Sequence, residues 1–330
     1  MKPHVLRRVL VVMLLGVALY GAFAVYQGLG TMRDALATFR VGAFVAACAL
    51  AFFNYVLRYF KWEYYLARLD IRGVGKVDSF LTFLSGFVLT VTPGKVGEVF
   101  KSVVLAETHG VPVARTAPIV VAERVTDLIG IIVLIVVGSA GFAGGLGWAA
   151  AGAVLVAALL VVVASKRLSY AIIALLQKLP GPFKRIGPKL HDAYASLAVL
   201  VSPKNLVLPT LLSIAAWALE CFSLWVVLWG FGQTTSVTLC MFFYATSTLA
   251  GALVPVPGGL GITEGSLQTQ LVELGKVAPA VGTAAMILVR FATLWFAVLV
   301  GFVALSILKR RHPGLLAGSP AVAVAPEAAE

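Results

Sequence analysis

Acidic side chains are scarce in this chain. It has 14 Asp and Glu against 26 Lys and Arg in 330 residues, and charged residues of both signs make up 12%. That is too little charge to cover a water-soluble domain of this length. Cysteine is nearly absent: Cys48, Cys221 and Cys240 each sit inside an apolar run, with no disulfide or metal spacing between them. The four histidines, His4, His109, His191 and His312, fall in loops or at expected helix ends. A bound metal or other cofactor is therefore not expected. No phosphate-binding loop is present, which excludes a nucleotide-driven motor, and no serine stands in a nucleophile elbow.

What the chain has instead is long apolar runs. Hydrophobic residues make up 60% and the mean hydropathy is +0.98, a composition that a bilayer accommodates and water does not. The net charge of +12 sits in loops beside these runs. It speaks for topology and anionic headgroups rather than for nucleic acid. Full spans are expected at about 9–27, 41–59, 118–137, 148–164, 206–228 and 281–308. The first lacks a convincing cleavage site and reads as a span rather than a signal peptide. The stretch 166–204 holds Ile186, Leu190, Tyr194, Leu197 and Val201 at helical spacing, which predicts an amphipathic helix on the membrane surface. An Ala/Pro-rich tail over 313–330 is expected to be disordered.

Two further apolar runs are too short to cross. Ser79 to Thr92 would reach only about 21 Å as a helix, against a core of roughly 30 Å, and it breaks at Pro93-Gly94. The run ending near Val254 breaks at Pro255, Pro257, Gly258 and Gly259. Backbone freed at membrane depth must face protein or water, which predicts re-entrant helical hairpins.

The breaks can be superposed. TPGKVGE (92–98) aligns with VPGGLGITE (256–264), matching Pro93 with Pro257, Gly94 with Gly258, Gly97 with Gly261, and Glu98 with Glu264 after a two-residue insertion. Arg124 follows Glu98 by 26 residues, and Arg290 follows Glu264 by the same 26. With six full spans, the basic N-terminus, the Arg58–Lys76 cluster, 166–204 and Lys309–Arg311 all fall on the cytoplasmic side, leaving Arg33, Arg40 and Lys276 outside. The two hairpins then enter from opposite faces. The expected architecture is an all-α polytopic bundle: one domain over 1–312, with inverted repeats at about 41–140 and 205–308 joined by 166–204, and both termini cytoplasmic. Transporters recurrently use this plan, with a site near the midplane formed by discontinuous helices.

TPGKVGEVFK, the following AERVTDL, and PVPGGLGITEGSL resemble the transmembrane region of the lysylphosphatidylglycerol synthase family, over about 41–308. The resemblance implies a lipid flippase in the inner (cytoplasmic) membrane. Its candidate cargo is an anionic or amphipathic lipid, such as a phospholipid, an aminoacyl-phospholipid or an isoprenoid-linked lipid. The chain ends shortly after its last expected span, so the comparison is with stand-alone flippase-like members, and an enzyme is not expected. A homodimer and a separate lipid-synthesising enzyme are the partners the resemblance suggests. A lipid-modifying membrane enzyme and a non-transporting scaffold are the competing readings.

Charges inside a membrane cost about 2.5–3.5 kcal/mol each on insertion scales and so point to function. The candidate substrate-binding residues are Lys95, Glu98, Arg124, Asp127, Glu264 and Arg290. Arg124 and Arg290 suit bidentate phosphate binding. The competing role is internal pairing, Arg124 with Glu98 or Asp127 and Arg290 with Glu264. Glu98 and Glu264 suit a cationic headgroup, a proton or the same pairing. Glu123 is expected near the interface and Asp127 deeper. Lys95 either faces the cavity or snorkels to headgroups. Glu220 is left with no partner legible in the sequence. Trp148, Trp217, Trp225, Trp229 and Trp295 are expected at interfaces or in packing.

Overall fold

A computed structural model describes residues 29–92, 97–140, 196–254 and 256–316, with individual residues between 18 and 25 and between 147 and 158. The expected spans at 9–27 and 148–164, most of the amphipathic segment, and Pro93, Gly94, Lys95 and Pro255 lie outside the described residues or largely so. Among the described residues every regular element is helical. The order is α1 (Leu29–Ala37), α2 (Val41–Arg68), α3 (Lys76–Ser85), α4 (Phe100–His109), α5 (Val113–Ser139), α6 (Pro203–Gly230), α7 (Val237–Leu253), α8 (Ile262–Glu273), α9 (Pro279–Arg290) and α10 (Phe296–Arg311). A 3-10 turn, Gly86–Leu89, extends α3. A π turn, Phe291–Trp295, joins α9 to α10 into one rod.

Among the described residues three helices are long and apolar enough to cross a membrane: Val41–Arg68, Pro203–Gly230 and Pro279–Arg311. At 27 residues α5 has a similar length, about 40 Å, but Glu123, Arg124 and Asp127 interrupt its apolar surface. Helix α7 has 17 residues and reaches only about 26 Å.

The centre of the bundle is the antiparallel crossing of α2 and α6, each 28 residues long. Asn54 Nδ2 donates to the Ala216 carbonyl at 2.7 Å, Ser223 Oγ to the Ala47 carbonyl at 3.2 Å, and Tyr64 OH to Asn205 Oδ1 at 3.3 Å. The buried face of α2 runs Ala43, Ala47, Ala51, Asn54, Arg58, Lys61 and Tyr65 at three- and four-residue steps. Three alanines let the backbones approach, and the polar residues then continue along the same stripe. The helix also runs on past the expected span end at Tyr59, to Arg68, and both Arg58 and Lys61 point into the protein.

Each short apolar helix folds back on its successor. Contacts pair Asp78 with His109, Gly86 with Lys101 and Thr90 with Glu98 along α3 and α4. Along α7 and α8, Thr246 pairs with Gln270 and Gly251 with Thr263. Both are antiparallel hairpins. Their turns need glycine: Gly258, Gly259 and Gly261 take φ of 63°, 69° and 87°, a region that costs other residues about 1–2 kcal/mol. A Cβ on Gly97 would lie 2.4 Å from Leu89. The tips meet, with Val91 against Gly258 and Leu294.

The long helices also reach across to the other hairpin. A Cβ on Gly138 of α5 would meet Phe242 N of α7 at 2.5 Å, and one on Gly301 of α10 would meet Val88 N beyond α3 at 2.7 Å. Residues 313–316 form a turn in which Leu315 is buried and Leu316 N donates to Glu107 Oε2 at 2.9 Å. The rest of the expected disordered tail lies outside the described residues.

Candidate functional site

A cavity of about 360 Å³ opens where the hairpin tips meet α2, α5, α6 and the α9–α10 junction. Its lining mixes two chemistries. Leu128, Ile131, Leu249, Leu253 and Val256 contribute apolar surface, while Arg58, Glu98, Arg124, Asp127, Glu220 and Arg290 bring charge.

Helix periodicity places the first charged group. Arg124 and Asp127 lie three apart on α5 and share a face. Arg124 Nη2 reaches Glu98 Oε2 at 2.7 Å and Asp127 Oδ2 at 3.2 Å. Asp127 Oδ2 also takes Arg58 Nη2 at 2.6 Å, and its Oδ1 takes Lys61 Nζ at 2.7 Å and Ser213 Oγ at 3.0 Å. One carboxylate therefore neutralises cations from α2 and α5 and ties in α6. Charges so deep are tolerable only when paired and hydrogen-bonded. Arg58 and Lys61 complete a cluster that the sequence reading missed. The signal was available: they prolong the Ala43–Ala47–Ala51–Asn54 stripe.

The second group belongs to the other hairpin. Arg290 Nε donates to Glu264 Oε1 at 2.6 Å and Arg290 Nη2 to the Gly258 carbonyl at 2.8 Å. Gly261 N donates to Glu264 Oε2 at 2.8 Å, so the carboxylate caps α8 while holding the arginine. Tyr20 OH donates to Glu264 Oε1 at 3.3 Å and accepts from Trp295 Nε1 at 2.9 Å. Glu264 itself is fully buried.

Glu220 has a partner after all: Tyr244 OH donates to its Oε2 at 2.7 Å. Tyr55 OH donates to the Thr293 carbonyl in the π turn at 3.1 Å, so two tyrosines converge there. Trp217 is buried in the cavity wall under the Arg58 guanidinium, 5.7 Å from the ring, rather than at an interface. Glu123 too has a partner that the sequence did not show. It is buried and bound by Lys101 Nζ at 2.5 Å, with Trp62 and Phe83 rings 4.9 and 5.2 Å from the amine. Packing of α4 on α5 encloses that position, and the pair sits away from the cavity.

Of the six candidate substrate-binding residues, the structure brings Glu98, Arg124, Asp127 and Arg290 to one cavity and places Glu264 directly behind Arg290. Lys95 lies outside the described residues. Among the described cations that line the cavity, Arg124 is the most accessible, at 28% side-chain exposure against 8% for Arg58 and for Arg290. Two of the histidines expected in loops or at helix ends meet. His109 and His312 flank Asp78, which accepts from Arg311 Nε at 2.6 Å and lies 3.2 Å from His312 Nε2. Burial alone would raise the Asp78 carboxyl, but hydrogen bonds from Arg311 and His312 outweigh it and hold it below its ordinary value.

Apolar spanning helices packed around an internal charged cavity define a polytopic helical membrane protein. Comparison with known proteins agrees. The chain belongs to the family described as the lysylphosphatidylglycerol synthase TM region, which matches residues 9–301. It is also similar to two proteins of Methanothermobacter thermautotrophicus, each named UPF0104 membrane protein. One is 26% identical over 123 residues, covering 37% of this chain and 36% of the relative. The other is 30% identical over 91 residues, covering 28% and 27%. The matched stretches thus span about a third of these relatives or less.

Proposed function

We propose that this protein moves a lipid with an anionic or amphipathic headgroup between the leaflets of the cytoplasmic membrane, without itself modifying that lipid. The reading takes the bundle as six spans with two re-entrant hairpins in an inverted repeat and both termini cytoplasmic. The observation that carries it is the cavity at the meeting of the two hairpin tips. Arginines from both hairpin systems, Arg124 and Arg290, line it together with apolar side chains such as Leu128, Leu249 and Leu253. A headgroup has polar partners there, and its chains have apolar ones. The equal lengths and antiparallel crossing of α2 and α6 support the inverted repeat, as do the matched Glu98–Arg124 and Glu264–Arg290 pairs. Each arginine has the same two-way role: it pairs with its hairpin glutamate when the cavity is empty and with phosphate when it is filled. The resting pair offsets the cost of the buried charge, and exchange opens the hairpin contact.

The test is reconstitution of the purified chain into liposomes containing trace tail-labelled phospholipids, with dithionite reporting exposure of the label on the outer leaflet. Transport by the parent protein, lost in Arg124→Ala and in Arg290→Ala with both variants still inserted, is the expected result. Changed headgroup masses in the recovered lipid would favour a lipid-modifying enzyme. Neither movement nor modification would favour a scaffold and end the transport reading. Unimpaired movement in both variants would remove the cavity from it.

A further inference from the structure

Helices α5 and α7 are in direct backbone contact at one place and enclose the cavity at another. A Cβ on Gly138 would lie 2.5 Å from Phe242 N. Ten residues back along α5 (138 − 128) stands Leu128, and eleven onward along α7 (253 − 242) stands Leu253. Each is about 15–16 Å along its helix from that contact, and both line the cavity.

The mouth of the cavity lies between them. Tyr55, Phe87, Ile131 and Trp217 in the lining are buried. Leu253 is 76% exposed, Ala252 is exposed, and Leu128 and Leu249 are half-buried. A side chain that lines a cavity and is still mostly exposed stands at its opening. On α5, Val121, Arg124 and Leu128 follow one another at three- and four-residue steps and share a face, with Val121 49% exposed. The stripe ends where Ile131 and Ile135 pack into the cluster that holds Phe242. Arg124 is thus a cation set among apolar side chains at the mouth. Its counterpart in the other half is covered. Arg290 is 8% exposed against 28% for Arg124. Tyr20, itself buried, bonds Glu264 and Trp295 there and lies 5.6 Å from the Phe291 ring.

Resting on the transport reading, we propose that the cleft between α5 and α7 is a lateral port for one diacyl phospholipid. Its phosphate meets Arg124, and its chains pass between Leu128 and Leu253 into the surrounding bilayer. A guanidinium has five donors, so Arg124 can keep Glu98 and still meet phosphate. The chemistry of the rim selects this occupant. A soluble phosphate would leave the apolar rim against water, and a hydrocarbon chain alone would leave the exposed part of the cation against hydrocarbon. On the six-span reading α5 starts at the cytoplasmic face. Arg124 lies 11 residues in (124 − 113), about 16 Å, so the port loads from the cytoplasmic leaflet.

The experiment uses the full chain in liposomes of phosphatidylethanolamine and phosphatidylglycerol, with trace phosphatidylglycerol carrying a diazirine in its acyl chain. Labelled residues are read by mass spectrometry, and the parent protein is expected to be labelled at Leu128 and Leu253. Arg124→Ala is expected to lower that labelling about tenfold, the ratio for roughly 1.4 kcal/mol of one charge-assisted contact, and Arg124→Lys to keep part of it. Leu299, 60% exposed on α10 and outside the cavity lining, should be labelled equally in all three. No enrichment at Leu128 and Leu253 in the parent, or labelling there that ignores Arg124→Ala, would overturn the port. Displacement of the label by free glycerol phosphate would do so too, by assigning Arg124 to a soluble anion. Leu128→Cys/Leu253→Cys gives a second measurement, in a Cys48→Ala background because Cys221 and Cys240 are buried. A reducible bifunctional thiol reagent bridging the pair is expected to stop lipid movement until it is cleaved, and movement at the unbridged rate would overturn the port as the route. Labelling at the port without movement of any lipid would instead end the transport reading and leave a lipid site at Arg124.

Discussion

Asp127→Asn tests the charge cluster with the least change of shape. The parent carboxylate meets Arg58, Lys61 and Arg124 at 2.6, 2.7 and 3.2 Å. The side chains of Arg58 and Lys61 are 8% and 0% exposed, so water cannot replace what the amide withdraws. Breaking a buried ion pair by removing one partner costs about 3–5 kcal/mol, because a charge is stranded. At 1.36 kcal/mol per decade, the folded-to-unfolded ratio should fall roughly 10²- to 10⁴-fold. Glu98 still faces Arg124, so that cation is not stranded. Lys61→Met separates this account from a simple packing defect. In the parent it removes a fully buried donor from Asp127 and Ser213. In the Asp127→Asn background it removes a stranded charge and should return about 1–3 kcal/mol, as coupled neighbours do. The assay is unfolding of the detergent-solubilised protein, followed by tryptophan fluorescence. The reasoning fails if Asp127→Asn lies within ~0.5 kcal/mol of the parent. It also fails if Lys61→Met costs the same in both backgrounds.

Lys101→Met strands Glu123 in a buried site. It should destabilise by about 3–5 kcal/mol, with Lys101→Met/Glu123→Leu recovering most of the loss in the same unfolding assay. Gly138→Ala and Gly301→Ala each press a methyl onto the backbone of the opposite hairpin, at 2.5 and 2.7 Å. Each should cost about 1–3 kcal/mol, read as a lowered thermal midpoint, whereas Gly42→Ala, which meets nothing within 4 Å, should be neutral. At the Asp78 cluster, burial pushes the His109 imidazole below its ordinary value and His312 adds to this, against the pull of Asp78. A depressed imidazole binds fewer protons when folded. The contribution is therefore complete above about pH 6.5 and is lost as pH falls from there toward the folded value. His109→Gln should flatten the thermal midpoint between pH 7.5 and 5.5, and a parent protein with no slope there would count against the cluster.

The features visible in the sequence were those with local cause. Pro257, Gly258 and Gly261 announce a break because backbone geometry demands them. The interval of 26 residues between Glu98 and Arg124 survives into a 2.7 Å contact, as does its counterpart at Glu264 and Arg290. What stayed hidden depends on where a helix ends and which way it faces. Arg58 and Lys61 read as a cytoplasmic margin because the apolar run fades near Tyr59, while the helix continues to Arg68. Glu220 found Tyr244 only through the packing of α6 on α7. His109 and His312 are far apart in the chain, and nothing local could announce that the end of α10 lies against the base of the first hairpin.

The shared carboxylate at Asp127 has a consequence for biogenesis. Helix α5 carries Glu123, Arg124 and Asp127 within five positions, and each would be charged about 2.5–3.5 kcal/mol on entering lipid alone. Their partners Lys101, Glu98, Arg58 and Lys61 are all synthesised earlier. On the six-span reading proposed above, helix α2 and the first hairpin would therefore still be at the insertion site, with their cations and carboxylates unspent, when α5 emerges from the ribosome. Partitioning of α5 into the bilayer is then an assembly step, conditional on segments already delivered. A glycosylation-tagged α5 offered alone should fail to insert where the same segment preceded by residues 41–110 succeeds.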